Sequence, residues 1–130
     1  MRFVTTLSIC LFAVTAARGG GGSPLQKAPP KAISRSNPYE GSQPARLAGA
    51  KLYQRECAAC HGSNGEGRDT APPLARSGVY QAPPGAVLWV LRNGSLYKGM
   101  PSFAHIPEPQ LWQIVTYLRG LKSPLQSKAG

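Results

Sequence analysis

Outside its first residues the sequence has no apolar run long enough to cross a bilayer; the best later stretch, Ala86 to Leu91, is one or two helical turns. Acidic residues are scarce, with 5 Asp and Glu against 15 Lys and Arg, a formal net charge of +10. The cations are scattered and not interleaved with aromatics, which argues against a nucleic-acid surface. Cysteine is scarce too, at 3 in 130 residues, too few for the disulfide framework of a small secreted domain. No segment shows strand alternation and no internal repeat is present, which leaves a single, all-α domain as the expected architecture.

The first residues have the pattern of a secretory signal. Arg2 supplies the positive start, Phe3 to Val14 form an apolar run, and the small residues Thr15, Ala16 and Ala17 follow. A leader over residues 1–17, cut after Ala16 or Ala17, implies an exported, periplasmic protein with no membrane span in the mature chain. The alternative is an uncleaved anchor, but the run is short and diluted by Thr5, Thr6 and Ser8. Lipidation of Cys10 is disfavoured by bulky Ile9 before it. Cleavage removes Cys10 and Met1, so the mature chain keeps only Cys57, Cys60 and Met100 as sulfur donors.

Residues 18–43 lack apolar periodicity. Gly19 to Gly22, Pro24, Pro29, Pro30 and Pro38 interrupt regular structure, and Lys27, Lys31 and Arg35 keep the stretch solvated. This pattern predicts a flexible, basic linker that adds nothing to the core. A folded domain is expected over residues 44–124, with a short tail over 125–130. Pro44 suits the first turn of a helix running to about Cys57, with Leu47, Ala48, Leu52 and Tyr53 at helical spacing. A second helix is expected from Pro84 to Asn93-Gly94. A third starts near Pro107 and carries Leu111, Ile114, Val115, Leu118 and Leu121 on one face, with Lys122 in its last turn and Pro124 as its stop.

The sharpest motif is Cys57-Ala58-Ala59-Cys60-His61. Two thiols three apart at a helix end can reach the two vinyl groups on one edge of a porphyrin, and the adjacent imidazole is then held under the iron. Three other readings compete. A dithiol redox motif would need a βαβ context, which is missing. A zinc site would need a fourth ligand, with only His105 and Met100 to supply it. Chance is the third. The export signal and the lack of spare cysteines favour covalent haem c, one per chain.

From about Pro44 to Leu121 the chain resembles the class I monohaem cytochromes c, in particular the bacterial type found alone or as a haem subunit of oxidases and dehydrogenases. The matching residues are Gly49 and Tyr53, the haem motif, Ala71-Pro72-Pro73-Leu74, Gly99-Met100-Pro101-Ser102-Phe103, and Leu111 to Leu121. The resemblance implies a cytochrome c fold, three main helices and loops wrapped around one covalently attached haem. It implies His61 and Met100 as iron ligands. It also implies a Pro72 carbonyl that accepts from the free nitrogen of His61, and Leu74 packed on the proximal face. Gly49 and Tyr53 should meet the last helix near Ile114 and Tyr117. Tyr97 and Phe103 should line the crevice, and Trp89 and Arg92 are candidates for the haem propionates.

Met100 lies between a glycine and a proline in a loop, not on an apolar helical stripe, which suits a ligand better than a core residue. His105, five residues on, is its rival. A filled sixth position leaves no vacancy for oxygen or peroxide, so the expected function is single-electron transfer rather than enzymatic chemistry. The alternative is a haem enzyme or a gas- or peroxide-binding sensor with an open sixth position. Without Arg2 the chain carries 14 cations and 5 carboxylates, a net +9 that two haem propionates would lower to +7. That balance suits solubility, or steering toward a redox partner, a dehydrogenase or terminal oxidase with an acidic docking surface.

Overall fold

The computed structural model describes residues 22–69 and 71–121. The expected leader, the tail over 125–130, and Lys122 and Pro124 lie outside the described residues. Within them the chain forms six α-helices and no strand: α1 (Pro30–Ile33), α2 (Gln43–Glu56), α3 (Ala58–His61), α4 (Leu74–Ser77), α5 (Pro84–Asn93) and α6 (Glu108–Gly120). Short 3-10 turns occupy Pro24–Lys27 and Leu96–Lys98. The fold is all-α, with α2, α5 and α6 as its three long helices.

Each long helix starts where the sequence offers a cap or a proline. The Ser42 hydroxyl accepts from the Ala45 N–H at 3.3 Å, and Pro44 sits in the first turn of α2, where a missing N–H costs nothing. α5 opens on Pro84 and closes at Gly94, whose N–H bonds the Val90 carbonyl at 2.7 Å. α6 carries Glu108 in its first turn and Arg119 in its last, each matched to the helix dipole.

The core forms where α2 lies against α6. Gly49 is the contact point, because a Cβ there would run into the Gln113 carbonyl and come within 3.0 Å of the Tyr117 Cβ. One turn later the Tyr53 ring meets Tyr117 in a tilted contact, ring centres 5.1 Å apart, as the family resemblance implied. Tyr53, Leu88, Leu111, Ile114 and Val115 are almost fully enclosed. Burying each aliphatic side chain stabilises the fold by about 1.5–3 kcal/mol. Leu47 is a correction to the expected apolar face of α2: it is 58% exposed, because the buried stripe runs through Ala45, Gly49, Leu52 and Tyr53.

The segment before α2 departs from its expectation as a flexible linker. Its described part, residues 22–43, is folded onto the domain. Ala28 and Asn37 are buried, and the Gly85 backbone lies against the Ala32 carbonyl so closely that a Cβ could not fit. Asn37 donates from Nδ2 to Thr116 Oγ1 at 2.9 Å, and its Oδ1 accepts from the Tyr39 N–H at 2.9 Å. Arg35 reaches Glu108 at the start of α6 with both terminal nitrogens, at 3.2 and 2.5 Å. The prolines misled because Pro24 and Pro30 each occupy the first position of a helical turn, where proline is tolerated. The buried groups are small or polar, so they leave no hydrophobic periodicity to detect.

Two substitutions test this packing. Gly49→Ala overpacks the α2–α6 contact and should cost about 1–3 kcal/mol in urea unfolding. Asn37→Ala removes a buried hydrogen bond and should cost about 1–2 kcal/mol, whereas an Asn37→Ala protein of unchanged stability would mean that the segment is no part of the cooperative unit.

Candidate functional site

The last residues of α2 and the single turn of α3 carry the cysteine–histidine motif. The Cys57 N–H closes α2 on the Tyr53 carbonyl at 2.8 Å. The Cys57 carbonyl then accepts from Cys60 and His61 at 3.2 and 3.0 Å, so the motif is one helical turn hung from the end of α2. Because Tyr53 is locked against α6, the position of this turn is set by the α2–α6 contact.

Both thiols are free. Cys57 is buried among apolar side chains and Cys60 is exposed. Burial, with smaller effects from Glu56 and Cys60, pushes the Cys57 thiol up to about 12, which keeps it protonated at neutral pH. A redox-active dithiol needs the opposite, a stabilised thiolate. The half-buried His61 is pushed below its ordinary value by desolvation, so its ring is neutral and keeps a lone pair for a metal. Its Nδ1 is buried and has no hydrogen-bond partner. The bond expected from His61 to the Pro72 carbonyl is therefore not formed in this structure. Among the described residues no group of three or more His, Cys, Asp or Glu is gathered to hold an ion.

The loop after α3 folds back under His61. The Tyr53 hydroxyl, fully buried, donates to the Gly62 carbonyl at 2.7 Å, and Gln54 Nε2 donates to the Ser63 carbonyl at 2.8 Å. The Gly67 N–H bonds the His61 carbonyl at 2.7 Å, and the Leu74 N–H bonds the Gly65 carbonyl at 2.8 Å. Gly67 has φ +85°, and a Cβ on it would lie 2.6 to 2.9 Å from the backbone of Ala71, Pro72 and Pro73. The Pro72 backbone is thus pressed against the one residue that bonds the His61 carbonyl. Leu74 is buried in the same apolar cluster as Cys57, beside Gly65.

Met100 sits on a second loop, half-buried and packed against that cluster together with Tyr80 and Phe103. The loop closes on itself through Ser95 N–H to Met100 O at 2.8 Å and Met100 N–H to Ser95 O at 3.1 Å. It is tied to the end of α5 by Phe103 N–H to Leu91 O at 2.8 Å and by Ser102 Oγ to Arg92 O at 2.5 Å. The structure therefore gathers Cys57, Leu74, Met100 and Phe103 around one apolar cluster, while His105 is exposed.

Tyr97 was expected in the crevice; it is 62% exposed, with the Lys27 ammonium 4.0 Å from its ring centre. Arg92, a candidate for the propionates, pairs with Glu108 at 2.5 Å. The roles of Lys27, Arg35 and Glu108 were not legible in the sequence, since their partners lie far along the chain. Trp112 and Leu118 are core residues.

Gly67→Ala should disturb the seat of His61. It should cost about 1–3 kcal/mol through the strained φ alone, read by thermal unfolding, and more if the Pro72 backbone is displaced.

A family model described as cytochrome c oxidase, cbb3-type, subunit III matches residues 44–118. No curated protein and no solved structure matches the chain.

Proposed function

We propose that this chain, which belongs to the family of cbb3-type cytochrome c oxidase subunit III and so has the c-type haem domain of that family, is a single-electron carrier with His61 and Met100 as iron ligands. The bound haem supplies a one-electron couple. The observation that carries the reading is the α3 turn with its cap: two free thiols three apart, followed by a neutral, half-buried imidazole whose buried Nδ1 lacks a partner.

Each residue then has a task. Cys57 and Cys60 hold the group covalently through thioethers. His61 would offer Nε2 to the metal, and its Nδ1, without a partner in this structure, would need an acceptor to orient the ring and raise its basicity, the role that the resemblance gives to the Pro72 carbonyl. Leu74 covers the proximal side and keeps water from it. Met100 supplies the thioether sulfur, a ligand that favours the reduced state and raises the potential. With that position filled by the protein's own side chain, small molecules are excluded from the metal, which separates a carrier from an oxygen- or peroxide-activating site.

The family supports association with an oxidase or another redox partner, and the positive balance of the chain favours an acidic docking surface. The leader over residues 1–17 supports a periplasmic location. Among the described residues no helix is long and apolar enough to cross a membrane.

Exported protein should retain haem on a denaturing gel. A polypeptide of apo mass that loses haem to acid-acetone would refute covalent attachment. The oxidised protein should show a weak sulfur-to-iron charge-transfer band that Met100→Ala abolishes. That variant should bind carbon monoxide, and its potential should fall by more than about 59 mV, a tenfold change in the one-electron equilibrium. If Met100→Ala leaves both unchanged while His105→Ala alters them, the sixth ligand is His105.

A further inference from the structure

We propose that the segment before the family domain is a brace that holds the Met100 loop closed, with Lys27 and the Arg35–Glu108 pair as its positioning contacts. The proposal rests on Met100 as the sixth ligand and adds what keeps it in place. The segment lies outside residues 44–118, the region that the family model matches.

The loop between α5 and α6 has exposed residues on the approach to Met100: Leu96 is 78% exposed and Tyr97 62%. Its own bonds close it between Ser95 and Met100 and tie it to the end of α5, and contacts from outside add to them. The brace touches it directly at Tyr97 and reaches its far side only through Glu108 of α6 and Arg92 of α5. Near the start, the Lys27 ammonium lies 4.0 Å from the centre of the Tyr97 ring, three residues before Met100. At the far end, Arg35 grips both oxygens of Glu108, and Glu108 Oε2 also accepts from Arg92. Arg92 is the residue whose carbonyl holds Ser102, two positions after Met100. Between these two anchors the segment is seated by Ala32 against Gly85 of α5 and by Asn37 against Thr116 of α6. A segment fixed to both helices thus meets the loop before its methionine and is linked, through Glu108 and Arg92, to the residue that holds Ser102 after it.

A thioether is a weak neutral ligand, and its occupancy of the metal depends on the entropy its loop must give up to close. Contacts made only with the closed loop raise the closed population. A cation–π contact and an ion pair at partly exposed sites are each worth a factor of about two to five in such an equilibrium.

An added ligand that must displace the methionine reads this directly, since its apparent Kd scales with the open fraction. Imidazole should be titrated into the oxidised holoprotein, full chain, for wild type, Lys27→Ala, Glu108→Gln, the double variant and Lys27→Arg, with thermal unfolding in parallel. Each single substitution should tighten imidazole binding about two- to fivefold, and the double variant should approach the product of the two effects. Lys27→Arg should behave as wild type. Lower melting temperatures with an unchanged imidazole Kd would overturn the proposal, leaving the segment a merely structural strap. Met100→Ala separates the two readings. If it does not tighten imidazole, the ligand assignment fails and the brace with it; if it does while the Lys27 and Glu108 variants do not, only the brace fails.

Discussion

The close approach of α2 to α6 at Gly49 is the constraint on which the rest of the structure depends. With no side chain between them, the α2 backbone rests on the Gln113 carbonyl, and Tyr53 is carried into contact with Tyr117. Tyr53 in turn ends α2 through its carbonyl and, through its hydroxyl, holds Gly62. The α3 turn with Cys57, Cys60 and His61 is strung between those two bonds. A small domain places its reactive turn with little freedom in this way, because one of these bonds is helical and the other is buried.

Burial around that turn does two jobs. It keeps the Cys57 thiol and the His61 ring neutral, the state in which a thiol is inert to disulfide chemistry and an imidazole can ligate a metal. It also gathers Cys57, Leu74, Met100 and Phe103 into one apolar surrounding with low dielectric, where a change of one charge is strongly felt. The polar groups are pushed outward, with Glu108 joining Arg35 and Arg92 at the surface. Such pairs contribute little to global stability.

The three long helices were legible because their signals are local: a capping serine, a proline in the first turn, and apolar residues at helical spacing. The haem motif was legible for a stronger reason, since its chemistry requires three residues within one helical turn. Met100 stood out as the one methionine besides Met1, in a constrained loop. The segment over residues 22–43 was not legible as folded structure. Its decisive contacts, Arg35 with Glu108 and Asn37 with Thr116, join residues 73 and 79 positions apart. Its buried groups are an alanine and an asparagine, neither of which a hydropathy pattern would select. Tyr97 misled in the opposite sense: an aromatic side chain suggests burial, but this one is exposed beside a lysine.

By itself the sequence determined the attachment chemistry, the helical class and the order of the elements, because each follows from bonds and spacings that close within a few residues. Tertiary structure decided which face of α2 is buried, that Leu47 is exposed, that the proline-rich segment belongs to the domain, and that Arg92 pairs with Glu108. Those outcomes depend on burial and charge pairing, which are sums over neighbours brought from distant parts of the chain. No local pattern records such a sum until the chain has folded.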